Sequence, residues 1–130
     1  MTDKKHTILL IEDDPTIVDI YVTMMEGAGL QVEVTGLGAD AIKKIQAVAA
    51  GEAKKPDLIL LDLILADMNG VEVLKEVRQH DTTKHIAVFI LTNQTKEELQ
   101  NMGDVRPDKF LIKANIAPTQ LLDLVKKQLA

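Results

Sequence analysis

Leu58-Ile59-Leu60-Leu61-Asp62-Leu63-Ile64-Leu65-Ala66-Asp67-Met68-Asn69-Gly70 runs from four unbroken apolar residues into an acid, and then into a turn-rich segment. The apolar run has the length of a strand. Being apolar at every position, it is suited to burial on both faces, as in a parallel sheet. Asp62 then stands at the strand's carboxyl end, where open α/β sheets gather their ligands.

The chain on either side repeats the pattern. Ile8-Leu9-Leu10-Ile11 reads as a buried strand ending in Glu12-Asp13-Asp14, and Pro15 opens a helix with Asp14 as its cap. Ile17, Ile20, Tyr21, Met24 and Met25 recur there at helical spacing until Gly27-Ala28-Gly29. Gln31-Val32-Glu33-Val34 alternates like a strand with one wetter face. A helix follows from about Ala39, turning Ile42, Ile45 and Val48 inward and fading at Ala50-Gly51. After Asp62, Asn69 and Glu72 have capping-box spacing ahead of a helix with Val73, Leu74 and Val77 inward. Ala87-Val88-Phe89-Ile90-Leu91 is a fourth strand, ending at Thr92. Thr95 and Glu98 suggest another capping box, for a short helix to about Met102. Lys109-Phe110-Leu111-Ile112 is a fifth strand, ending at Lys113. Pro118 begins a last helix carrying Leu121, Leu122, Val125 and Leu129.

Five βα units in succession predict an α/β domain with helices on both faces of a parallel sheet. The natural topology is a doubly wound, flavodoxin-like three-layer sandwich with five strands in the order 2-1-3-4-5, one domain over residues 1–130. In that order the ends of strands 1, 3, 4 and 5 converge on Glu12, Asp13, Asp62, Thr92 and Lys113.

Composition narrows the chemistry. A net charge of −5 supplies no broad phosphate-neutralising face, which argues against direct nucleic-acid binding. The absence of cysteine excludes disulfides, thiolate zinc sites and thiol nucleophiles. No apolar run approaches the ~20 residues of a membrane span, so a cytoplasmic location is the expectation. His6, His80 and His85 lack paired ligand spacing. Gly36-Leu37-Gly38-Ala39-Asp40-Ala41 fits G-x-G-x-x-A but follows the second strand rather than the first, so dinucleotide binding is not expected.

Three carboxylates, a hydroxyl and an ammonium form a coherent set. Crowded carboxylates need a cation, and oxygen donors with room for water suit Mg²⁺. A carboxylate can act as a nucleophile and form an acyl phosphate. Lys113 and Thr92 would hold the phosphoryl oxygens while the metal offsets their charge. The reaction these residues jointly suit is phosphoryl transfer onto Asp62.

The segments Ile8 to Pro15, Asp62 to Gly70, Leu91-Thr92 and Phe110 to Lys113 together resemble the receiver domain of two-component response regulators. The likeness spans essentially the whole chain in order, and the overall pattern is that of a stand-alone, chemotaxis-regulator-like receiver. It implies that Asp62 accepts a phosphoryl group from the phosphohistidine of a histidine kinase or phosphotransfer protein, and that the chain is not an enzyme beyond slow self-dephosphorylation. It implies a Mg²⁺ site made by Asp62, Asp13 directly, Glu12 through water, and the backbone carbonyl of Ile64. Thr92 and Phe110 fall at switch positions. The implied output face comprises the fourth predicted helix (about Lys96–Met102), the strand Lys109–Ile112 and the helix Pro118–Leu129, engaging a downstream protein, with the chain a monomer or a phosphorylation-linked dimer.

Three positions depart from the family pattern. Ala66 stands where a proline is usual, which predicts a less fixed loop. Ala114 stands where a proline with a cis bond usually follows the lysine, which predicts a trans Lys113–Ala114 bond or a strained cis one. Asn93 stands where a small residue is common and would partly cover the site. Ile64, apolar at a position bearing on water access, predicts a long-lived acyl phosphate. Two rival readings are a phosphorylation-independent interaction module of the same fold and an aspartyl-phosphate phosphohydrolase. The second needs an acid two residues after the nucleophile, where Ile64 stands.

Overall fold

The computed structural model describes residues 5–93 and 103–130. The five strands are β1 (Thr7–Ile11), β2 (Gln31–Thr35), β3 (Leu58–Leu61), β4 (Ala87–Thr92) and β5 (Lys109–Ile112). They form one parallel sheet in the order β2-β1-β3-β4-β5. The described helices are α1 (Pro15–Gly27), α2 (Gly38–Ala49), α3 (Val71–Gln79) and α4 (Pro118–Leu129). The helix expected over about Thr95 to Met102 falls outside the described residues.

Every residue of β1, β3 and β4 is buried. Strict alternation along each strand divides those side chains between two cores. On one face Leu9, Ile11, Ile59, Leu61, Val88 and Ile90 pack with Ala41 and Ile45 of α2 and Val73, Leu74 and Val77 of α3. On the other, Ile8, Leu10, Leu58, Leu60, Phe89 and Leu91 pack with Tyr21 and Met25 of α1 and Leu121 and Val125 of α4. The doubly wound sandwich is therefore a consequence of uniformly apolar strands.

Local expectations fared unevenly. Asp14 caps α1 as predicted, accepting from the Thr16 and Ile17 amides at 2.9 and 3.3 Å. Ile20 does not join the packed face; it is 43% exposed, because one residue's rotation of about 100° turns it away from buried Tyr21. The capping box expected from Asn69 and Glu72 does not form. Gly70 is the cap residue of α3, without a side-chain cap bond, and Asn69 Oδ1 instead accepts from the Val71 amide at 2.8 Å. At α4, Gln120 reaches back to accept from the Ala117 amide at 2.8 Å, half of a box that the sequence reading did not include.

The lower ends of α3, β4 and β5 are joined through Arg78. Its guanidinium donates to the Lys84, Ile86 and Arg106 carbonyls and to Asp108 Oδ1 at 2.9 Å. Asp108 Oδ1 also accepts from the Val88 amide, so the arginine ties down the strand opposite the acidic end.

Candidate functional site

The sheet ladder carries the acids one residue past its formal ends. The Glu12 amide donates to Thr35 O at 3.1 Å, and the Asp62 amide donates to Ile11 O at 3.0 Å. Each carboxylate thus leaves the sheet from a hydrogen-bonded backbone. Both side chains are nearly sealed from solvent, with 3% of Glu12 and 7% of Asp62 exposed, whereas Asp13 and Asp14 are exposed.

Lys113 comes in from the end of β5, at the start of a 3₁₀ turn over Lys113–Asn115. Its Nζ lies 2.5 Å from Glu12 Oε1 and 3.0 Å from Asp62 Oδ2. The other Asp62 oxygen, Oδ1, accepts from the Ile64 amide at 3.2 Å. Thr92, fully buried, ends β4 beside them. Glu12, Asp13, Asp14, Asp62, Ile64, Thr92, Asn93 and Lys113 line one open cleft of about 210 Å³. The structure therefore brings together every residue that sequence reasoning placed at the converging strand ends.

The field in the cleft follows from burial. Desolvation pushes the Glu12 carboxyl above its ordinary range, its hydrogen bond from Lys113 opposes this, and the charge of Asp62 adds to the rise. Burial works against the Lys113 ammonium, but its bonds to Glu12 and Asp62 outweigh that and hold its pKa above the usual lysine value. Tyr21, buried beneath the site, is likewise pushed up by desolvation.

Glu12, Asp13 and Asp62 each offer a carboxylate oxygen, and these oxygens lie within 4.8 Å of one another. Three carboxylates face a single ammonium, which leaves an excess negative charge that a hard divalent cation would match. The donor set is all oxygen, and it fits Mg²⁺ better than a softer metal.

The sequence matches the family model described as the response regulator receiver domain over residues 8–126. This chain is a receiver domain. As such it belongs to the two-component systems and to phosphoacceptor signalling. A curated relative, the DNA-binding dual master transcriptional regulator RpaA of Synechocystis sp., is 34% identical over 108 residues, which are 82% of this chain and 42% of RpaA. The receiver spans about two fifths to a half of the curated relatives it matches. The phosphorylated cyanobacterial phytochrome response regulator RcpA superposes with a TM-score of 0.79 at 26% identity, covering 95% of this chain and 91% of that one. The fold is shared too by the receiver domain of sensor histidine kinase PA1611 from Pseudomonas aeruginosa PAO1, whose structure has a magnesium ion coordinated in the active site cleft. Its TM-score is 0.80 at 22% identity, over 96% of this chain and 98% of that one.

The receiver's departures from its family have structural consequences. No peptide bond among the described residues is cis, so Lys113–Ala114 is trans. Asn93 is exposed at the cleft's rim, and its Oδ1 accepts from the Ala114 amide at 3.1 Å. Ile64 is 53% exposed there, an open apolar side chain beside the acid. Phe110 is half-buried and packs on the α2–α3 side, paired in register with Ile90.

The loop after Asp62 is tied where a less fixed one was expected from Ala66. Asp67 Oδ1 and Oδ2 accept from the Gly38 and Ala39 amides at 2.8 and 2.9 Å, capping α2 from across the site. Those two bonds hold the Asp67 carboxyl below its ordinary range. Gly38 permits the approach, because a Cβ there would overlap the Met68 side chain. Gly70 permits the next step of the loop, because a Cβ there would overlap the Asp62 carbonyl oxygen. Gly38, the second glycine of the G-x-G-x-x-A segment, thus serves loop packing.

Proposed function

We propose that Asp62 takes a phosphoryl group from the phosphohistidine of a histidine kinase or phosphotransfer protein, and that the modified site alters contacts with a downstream protein. The observation that supports this most directly is Lys113 bridging Glu12 Oε1 and Asp62 Oδ2 in a cleft lined by four acids. A carboxylate oxygen of Asp62 attacks phosphorus; the bond to the imidazole nitrogen breaks, and the electron pair leaves with the imidazole, which is neutral on departure from a protonated phosphohistidine. Glu12, Asp13, Asp62 and the Ile64 carbonyl are the residues that would hold Mg²⁺. Bound there, it would offset the negative charge of the phosphoryl oxygens.

Lys113 is the chain's own cation for that charge, and the Thr92 hydroxyl is the donor placed at the end of the neighbouring strand. Ile64 presents hydrocarbon rather than a polar group to the cleft, so water attacking the acyl phosphate meets no side-chain base at that position. We read the chain as an acceptor with slow self-dephosphorylation and not as a turnover enzyme. Thr92 and Phe110 lie on the path we assign to the output: from the cleft, along β4, to the sheet edge at β5.

The test uses acetyl phosphate and Mg²⁺, with intact mass as the readout. A gain of one phosphoryl group in the parent, absent in Asp62→Asn, is the expected result. No gain would favour a phosphorylation-independent interaction module. Sustained release of phosphate from a separate phosphoester would point to a phosphohydrolase.

A further inference from the structure

We propose that Asn93 is a positioning residue for phosphoryl transfer: by holding the Ala114 amide, it fixes the turn that carries Lys113. The inference rests on the reading of Asp62 as the phosphoacceptor. It adds a residue to which neither the family match nor the acid cluster assigns a part.

β4 and β5 pair in parallel, with Thr92 opposite Ile112 as their last rung. Lys113 lies one residue past that rung, on a 3₁₀ turn whose preceding residue, Ile112, makes no side-chain cap bond. The first amides of such a turn have no partner within it. The Ala114 amide is one of these, and Asn93 Oδ1, one residue past the same rung on β4, accepts from it at 3.1 Å. The side chain therefore extends the ladder beyond the sheet. Donor logic also fixes the carboxamide's orientation, because only its oxygen can accept from an N–H.

Lys113 is the residue whose placement this tie controls. Its ammonium must span from the end of β5 to Glu12 on β1 and Asp62 on β3, across a site that it alone bridges among the described ion pairs. A small tilt of the turn would move Nζ away from both acids, and misplacement of a charged group at a reacting centre costs rate steeply. The tie requires an N–H at position 114, which alanine has and proline lacks. Asn93 and Ala114 thus work as a pair.

The experiment is a double-mutant cycle on the intact chain with Asn93→Ala, Ala114→Pro and both together. Its readouts are the rate of phosphorylation by acetyl phosphate at saturating Mg²⁺, the Mg²⁺ dissociation constant by calorimetry, and the thermal midpoint. Loss of one hydrogen bond predicts Asn93→Ala to be about fivefold slower, with Mg²⁺ affinity no weaker than in the parent and the thermal midpoint lowered by no more than about 4 °C. Asn93→Ala adds nothing in the Ala114→Pro background. An equal loss in both backgrounds would mean that Asn93 acts at the cleft's rim instead, and would overturn the inference. So would a parallel fall in Mg²⁺ affinity and thermal midpoint, which marks a merely structural part.

Amide hydrogen exchange at Ala114 makes the test independent of how Ala114→Pro folds. Exchange there accelerates in Asn93→Ala if the tie exists, and an unchanged rate would overturn the proposal. If the parent reacts and Asn93→Ala reacts equally fast, the inference alone falls. If the parent itself takes no phosphoryl group, the phosphoacceptor reading falls and this inference with it.

Discussion

Lys113 Nζ and Glu12 Oε1 are 2.5 Å apart although 101 residues separate them in sequence. The contact joins β5 to β1 across the whole active end of the sheet and leaves Lys113 as the cation shared by two buried acids. Removing one member of a buried charged group strands the others, which costs several kcal/mol. Lys113→Met, which keeps the hydrocarbon stem, is expected to lose about 3 kcal/mol in urea unfolding without metal. The same variant is expected to bind Mg²⁺ more tightly than the parent, because no ammonium competes for Glu12 and Asp62. Calorimetric titration showing weaker Mg²⁺ binding would contradict that.

The raised pKa of Glu12 sets a pH dependence with a definite sign. A carboxyl whose folded pKa lies above its unfolded value of about 4.3 holds its proton more tightly when folded. Its contribution to stability is present below the unfolded value and is lost as pH rises through the folded one. Lys113, also raised, contributes fully below the usual lysine value of about 10.4 and loses that contribution as pH rises through its folded value. Glu12→Gln should therefore flatten the metal-free stability curve just above the ordinary glutamate range. Urea midpoints at stepped pH, with chelator present, make the measurement. An unaltered slope would count against the assignment.

Two glycines of the site are predicted to differ in what they tolerate. At Gly70 an added Cβ meets the Asp62 carbonyl oxygen and Leu63 Cα, both backbone; at Gly38 it meets the side chain of Met68. Backbone cannot give way as a thioether can. Gly38→Ala should cost about 1–2 kcal/mol, with much of that recovered by Met68→Ala, and Gly70→Ala should cost more than about 3. Thermal midpoints of the three variants and the double variant decide it. A smaller loss at Gly70 than at Gly38 would refute the reading.

On the proposed reading, Ile64 is a determinant of how long a phosphorylated Asp62 lasts. Replacing its exposed side chain with a carboxamide gives attacking water a polar partner beside Asp62. Ile64→Asn is expected to shorten the acyl-phosphate lifetime several-fold, followed as loss of phosphoryl mass after the donor is removed. A longer lifetime in the variant would sink the idea.

The layered fold was legible because its central strands announce themselves. Leu58 to Leu61 and Ala87 to Thr92 are buried at every position, and a uniformly apolar run of that length has few other uses. The site was legible for a related reason: the strand order delivers Glu12, Asp62, Thr92 and Lys113 to one end. Asp14 could be read as a cap because it acts within its own helix. What escaped were ties between segments distant in sequence. Asp67 and Gly38 meet across 29 residues, and Asn93 and Ala114 across 21, so no local pattern signals either. Asn69 and Glu72 misled because α3 starts one residue later than their spacing assumed. Ile20 misled because spacing three residues from Ile17 is also compatible with the edge of a helical face.

The measurement that bears most directly on Asp62 as the phosphoacceptor is to locate the acyl phosphate in the chain. After reaction with acetyl phosphate and Mg²⁺, borohydride reduces an aspartyl phosphate to homoserine, and peptide mass spectrometry finds the altered residue. Homoserine at position 62 alone is the predicted result. Reduction at Asp13 or Asp14, or an unaltered peptide from a protein that had gained phosphoryl mass, would contradict it.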